Sequence, residues 1–392
     1  MKLKVFVLPL IIFPILMQCN RIARTGNHKK NIPQSQNDDP QTSGTTGNAA
    51  DYDTAFSSNN STKTGLHKNP FGVLIDKTDN AAIPMDKKIQ IAKALGFKYM
   101  RAHAYVSTWS GTVNFYDDFA NAGFKIILNI NYGIPRNTMG DKQPVPFPTD
   151  LDAYGKTVSS ILDKYKPELV VIENEEDNPF YHSGSAEDYI NELKTAITIC
   201  HSKGLKVTNG GLTEREIMLL VYDDLMTSGK TQQAKDFADR AIPQQYLNKL
   251  NNYQRLPVVQ RALTFGKAVI QAYKTLDLDY VNFHWYEPST ARGKQDAAAL
   301  NVDHIDPMVF ASVVNYLSRV TGKPVITNEF GVLNTSPALI TELMQKVLDA
   351  KMDYAIFYSG DGAGGSKALQ NGDGSLRQTG EAVRDFIQKN CE

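Results

Sequence analysis

The sequence predicts a (β/α)8 barrel. Short apolar, β-rich runs recur eight times between residues 71 and 359. Helical patterns with recognisable start and stop signals fill the gaps between them. Most of the runs are almost continuously apolar, the pattern of parallel strands buried on both faces. Eight such strands alternating with helices over about 300 residues favour a closed barrel over a doubly wound sheet.

The strand candidates are 71–75, 99–104, 125–131, 169–174, 205–210, 280–285, 324–329 and 354–359. Ser185-Ala186-Glu187-Asp188 resembles a capping box, and Gly204 stands where that helix should stop. Asp306-Pro307 and Ser336-Pro337 each place a capping residue before a proline suited to the first helical position. Residues 212–279 are too many for one connection. They predict a helical insertion between strands five and six, beside the barrel or over its mouth.

Composition narrows the function classes. The chain has 392 residues, with 42 Lys plus Arg against 42 Asp plus Glu. That balance argues against a nucleic-acid binder. Three cysteines cannot build a disulfide scaffold. Cys200 follows Tyr189, Leu193, Ala196 and Ile197 at helical spacing and reads as a small buried hydrophobe. Cys391 falls where a frayed terminus is expected. A Cys200–Cys391 bridge is rejected, because their helices would lie on opposite sides of a barrel.

The first residues read as a targeting segment. Lys2 and Lys4 precede an apolar run ending at Met17, and Leu16-Met17-Gln18-Cys19 resembles a lipobox. Gln18 departs from the small residue usual there. Residues 1–19 are therefore expected to be a signal peptide, with Cys19 as a lipid anchor in an exported, membrane-anchored lipoprotein; simple secretion is the alternative. More than half of residues 20–65 are Asn, Ser, Thr, Gly or Gln, so this stretch reads as a disordered linker. Residues 66–392 are left as one catalytic domain, expected to be a monomer.

Barrel enzymes place their working residues at the C-terminal ends of strands. Strand four breaks into Glu173-Asn174-Glu175-Glu176-Asp177, strand six ends His284-Trp285-Tyr286-Glu287, and strand seven ends Asn328-Glu329-Phe330-Gly331. Either acidic end alone could be bland: the first a solvated loop, Glu329 a salt-bridge partner. Together, two carboxylates facing one cavity suit acid/base and nucleophilic work. Trp109 and Trp285 fall at or just past strand ends, where flat apolar faces suit sugars; core packing is the plain alternative. His103 faces mouth or core depending on register.

Asn-Glu after strand four and Glu-Phe-Gly after strand seven resemble the retaining β-glycosidases of glycoside hydrolase clan A. His284-Trp285-Tyr286 resembles the His-x-Tyr of its cellulase-like family 5. The resemblance spans residues 66–392, with the motifs in the right order. It implies a TIM barrel that hydrolyses O-glycosidic bonds of a β-linked oligo- or polysaccharide without a cofactor. Glu175 would be the acid/base and Glu329 the nucleophile. Asn174 would bind the sugar 2-hydroxyl, Tyr286 the nucleophile, and His284 would line the same subsite. Arg101 would keep Glu329 ionised, against the plainer reading of a structural ion pair. Three departures stand: Glu176 replaces a common proline, strand three offers Asn129 and Asn131 rather than histidine, and strand eight ends Phe357-Tyr358 rather than in tryptophan. Two other classes stay open. One is a metal-dependent barrel hydrolase using His103, His284 and carboxylates; the other is a tethered, non-catalytic glycan-binding barrel.

Overall fold

The computed structural model describes residues 66–78, 81–138, 141–242, 250–287, 307–332, 336–362 and 365–392. The expected signal, Cys19 and the linker lie outside the described residues, as does the expected cap Asp306.

Eight strands form one sheet: β1 (Phe71–Ile75), β2 (Tyr99–Tyr105), β3 (Lys125–Asn131), β4 (Leu169–Ile172), β5 (Val207–Asn209), β6 (Val281–Glu287), β7 (Val325–Val332) and β8 (Ala355–Ser359). Their spatial order is β5-β4-β3-β2-β1-β8-β7-β6, and each pairing is parallel. Parallel bridges Thr208–Tyr280 and Leu212–Phe283 bring the two ends together. The Asn209 side chain completes that seam. Its oxygen accepts from the Asn282 amide at 2.7 Å, and its nitrogen donates to the Asn282 carbonyl at 2.9 Å. The structure is thus the predicted (β/α)8 barrel.

Every strand is followed by helix, as the alternation predicts. The helices are α1 (Met85–Leu95), α2 (Tyr116–Asn121), α3 (Leu151–Lys164), α4 (Ala186–Ser202), α5 (Glu214–Thr227), α6 (Thr231–Ala241), α7 (Pro257–Thr275), α8 (Pro307–Thr321), α9 (Pro337–Asp349) and α10 (Gln378–Asn390). Among the described residues, helices α5, α6 and α7 and a 3-10 turn at Leu250–Arg255 lie in the insertion between β5 and β6. The capping box at Ser185–Asp188 is present, and Ser336 caps α9 by accepting from the Leu339 amide. Cys200 is fully buried, and both Cys200 and Cys391 are free thiols. The C-terminus is not frayed: backbone bonds join Asn390 and Glu392 to His67 and Asn69 at 2.9–3.1 Å. This pairing before β1 buries Cys391.

Strand pleating sorts the side chains into two cores. Outward residues pack under the helices. Inward residues form a small apolar plug of Tyr99, Ile127, Leu169, Val171, Tyr280, Ile326, Tyr354 and Ile356. Tyr354 meets Tyr99 and Tyr280 edge-on, with centroids 5.2 and 5.4 Å away. Above the plug the inward positions turn polar: Arg101, Asn129, Asn282 and Asn328, all buried. This polar layer is the floor of the barrel mouth.

Candidate active site

Glu329 reaches the mouth through an irregularity in β7. Asn282 pairs with Ile326 while His284 pairs with Glu329, so β7 holds one residue more than β6 over that stretch. The same excess appears against β8, between Ala355 and Phe357. A bulge of this kind re-aims side chains. Here it lets Asn328 and Glu329, adjacent in sequence, both turn inward.

Arg101 ties the floor to the mouth. It is 2% exposed. Its guanidinium donates to Asn129 Oδ1 (2.9 Å), the Asn328 carbonyl (3.1 Å), Glu329 Oε2 (2.7 Å) and Asn174 Oδ1 (2.6 Å). The other Glu329 oxygen accepts from the Tyr286 hydroxyl at 2.5 Å. Burial opposes the charge on Glu329, but His284, Arg101 and Tyr286 outweigh it and hold the carboxyl well below its usual range.

Glu175 sits opposite. Its Oε1 lies 3.1 Å from His284 Nδ1, and its Oε2 accepts from Asn178 Nδ2 at 2.5 Å. The amide network fixes the histidine tautomer. Asn129 Nδ2 donates to the Glu173 carbonyl, so Asn129 Oδ1 is the acceptor that Asn328 Nδ2 meets at 3.2 Å. Asn328 Oδ1 must then accept from His284 Nε2, at 2.8 Å. His284 Nδ1 and Glu175 therefore share one proton. Burial disfavours the imidazolium, yet Glu329 and Glu175 more than offset this and raise the His284 pKa above its ordinary value.

One ligand atom each from Glu175, His284 and Glu329 lies within 4.8 Å of the others. A small cation could bridge that spacing. Arg101 already supplies positive charge to Glu329, however, and His103 is not part of the group. His103 shares the inward face of Arg101 on β2. Burial, then the Arg101 charge, push its pKa down to about 3, so it is neutral.

The two tryptophans are not in the mouth. Alternation along β6 turns His284 and Tyr286 inward and Trp285 outward. Trp285 is fully buried against Phe283 and Phe310, and its indole N–H donates to Glu287 Oε1 at 2.8 Å. Trp109 follows a 3-10 turn on the outer layer, bonds Ser160 of α3 at 3.3 Å and meets Tyr165 edge-on. Trp285→Ala is expected to cost about 3–5 kcal/mol of stability. Trp109→Phe should leave turnover within about twofold, since surface changes away from a site seldom exceed 0.5 kcal/mol. Denaturant titration and initial rates check the pair.

The acidic run after β4 is not a solvated loop. Glu173 and Glu176 are 2% and 1% exposed. Glu176 accepts from Asn209 at 2.8 Å and Tyr273 at 2.5 Å, outside the barrel wall. Burial, then the charge of Asp177, raise its pKa to about 7. Glu192 of α4 is fully buried beside Glu173 and Tyr154. Burial and the neighbouring Glu173 raise its pKa well above the usual range, so it is protonated. An acid whose folded pKa is raised loses stability as pH climbs above its unfolded value, about 4.3. Glu192→Gln should match wild type at pH 4 and unfold at higher denaturant by pH 8.

The chain has the fold of known glycoside hydrolases. A family 39 glycoside hydrolase from Bacteroides cellulosilyticus WH2 superposes with TM-score 0.50 at 13% identity, over 81% of this chain and 63% of that one. The chain thus spans less than two thirds of that enzyme. A GH5_18 structure from Streptomyces cattleya, in complex with GlcNAc, gives TM-score 0.50 at 11% identity over 83% and 81% of the two chains. No family model matches the sequence, and no curated protein does.

Proposed function

We propose that the protein is a retaining β-glycosidase acting by double displacement, with Glu329 as nucleophile and Glu175 as acid/base. The observation that carries this reading is the pairing of two carboxyls across one polar mouth, with oxygens within 4.8 Å. Retaining enzymes hold their carboxyls about 5–5.5 Å apart, whereas inverting ones leave about 6.5–9.5 Å for a water. The environments also differ as the two roles require. Glu329 is held ionised by Arg101 and Tyr286, while Glu175 shares a proton with His284.

In the first step Glu329 attacks the anomeric carbon as Glu175 passes its proton to the departing oxygen. A glycosyl ester on Glu329 results. In the second step Glu175 takes a proton from water, and that water attacks the same carbon from the opposite side, restoring the carboxylate. Asn174, which accepts from Arg101 at 2.6 Å, would meet the sugar 2-hydroxyl. A non-catalytic glycan-binding barrel would need neither the ionised carboxylate nor the proton-sharing pair. Screening β-linked polysaccharides and aryl β-glycosides tests the reading, with Glu329→Gln as control. Hydrolysis by wild type alone supports it; equal rates in both place the site elsewhere.

Residues 66–392 would then be an exported catalytic domain, tethered through Cys19 by the polar linker. Among the described residues, no helix is long and apolar enough to cross a membrane. Metabolic labelling with a fatty acid should mark wild type and not Cys19→Ser; equal labelling would remove the anchor.

A further inference from the structure

The loop carrying Glu175 is strained. Glu173 and Glu175 both adopt left-handed backbone, with φ of 69° and 50°. Neither is glycine, and each such residue costs about 1–3 kcal/mol unless its surroundings fix it. The turn places Glu173 inside the protein and Glu175 in the mouth, on either side of Asn174.

Four tethers hold that turn. The Tyr132 amide donates to Glu173 Oε1 at 2.6 Å. Asn129 Nδ2 donates to the Glu173 carbonyl at 3.1 Å. His182 Nε2 lies 2.9 Å from the Asn174 carbonyl, which can only accept, so that nitrogen carries the proton. Arg101 holds the Asn174 side chain. The His182 ring is itself clamped, stacked on Phe147 at 4.8 Å with a 12° interplanar angle. Its Nε2 is also 3.8 Å from Glu173 Oε2.

A buried carboxylate is an expensive way to hold a loop, since its desolvation must be offset by its partners. Glu173 is nevertheless 2% exposed, with Glu192 directly behind it. Resting on the assignment of Glu175 as acid/base, we infer that Glu173 and His182 are positioning residues that aim the Glu175 carboxyl at the leaving-group oxygen. Glu173 acts through its bond to the Tyr132 amide, and His182 through its bond to the Asn174 carbonyl. Neither touches substrate.

The signature of misplaced acid catalysis is its dependence on the leaving group. A phenyl or alkyl glycoside needs its departing oxygen protonated, whereas a dinitrophenyl glycoside needs little help. Positioned proton transfer contributes about 10²–10⁴-fold. Glu173→Ala should therefore lower kcat/KM on a phenyl glycoside by about 30–100-fold and on the dinitrophenyl glycoside by less than about threefold. Glu173→Gln keeps an acceptor for the Tyr132 amide and should restore most of the loss. His182→Phe keeps the stack on Phe147, deletes the donor, and should give the same pattern at about tenfold. It carries the test alone if Glu173→Ala does not fold.

Parallel losses on both substrates would make these residues structural only and overturn the inference. So would unchanged rates on both. Glu175→Ala is run alongside. If it shows no leaving-group dependence, the acid/base assignment has failed rather than the positioning built on it.

Discussion

Glu329→Ala should lose nearly all turnover on every β-glycoside, by about four to six orders of magnitude. Losses of that size follow removal of a covalent nucleophile whose partners act as a unit with it. Leaving-group quality should not soften the effect, because no ester can form at that position. Glu175→Ala should behave differently. Its loss should reach about 10²–10⁴-fold where the leaving group needs a proton and shrink where it does not. It should then stall as a glycosyl-enzyme for want of a base, and mass spectrometry of the intact protein should detect the added sugar. Steady-state rates across a leaving-group series check the contrast.

Arg101→Met should be the most damaging single change to the fold of the site. Removing one partner of a buried, hydrogen-bonded ion pair costs about 3–5 kcal/mol, because the other charge stays buried. Here Glu329 would keep Tyr286 but lose the guanidinium, and Asn129 and Asn174 would lose their donors. The pH dependence follows from the direction of the Glu329 shift. Its folded pKa is depressed, so its contribution to stability is fully present above the unfolded value, about 4.3. That contribution drains away as pH falls through the folded pKa. Wild type should weaken as pH drops from 5 toward 3. In Arg101→Met that slope should become shallower, since the carboxyl keeps His284 and Tyr286 but loses the guanidinium that helps depress its pKa. Urea midpoints measured across that range check the sign.

The barrel was legible because its strands are parallel and covered on both faces, which leaves apolar runs that neighbouring helices cannot imitate. The strand ends were less so. β6 and β7 extend to Glu287 and Val332, past the predicted 285 and 329, because polar inward residues interrupt the apolar run without ending the strand. Glu175, His284 and Glu329 could be named from the ends of the predicted strands, whereas Arg101, the third residue of β2, was reached only through the family resemblance. The bulge in β7 could not, because one extra residue leaves no compositional trace. It is what turns Glu329 into the mouth beside Asn328, which alternation from Ile326 already places inside. Trp285 was misplaced for a simpler reason: period-two alternation from His284 already turned it outward. The burial of Glu173 and Glu176 was hidden by composition, since a carboxylate in an acidic run reads as solvated. Asparagines inside apolar strands, at 129, 209, 282 and 328, were the available signal for a polar floor.

Azide rescue with anomeric configuration read by NMR tests the central claim most directly. Azide is a small nucleophile that replaces whichever carboxylate has been removed. With Glu175→Ala and an activated β-glycoside, Glu329 attacks first and azide then displaces it, which gives the β-glycosyl azide. With Glu329→Ala, azide attacks the substrate directly from the opposite face, which gives the α-azide. That pair of products is the predicted result. Reversed products would exchange the two roles, and undiminished hydrolysis by both variants of an active wild type would contradict the site itself.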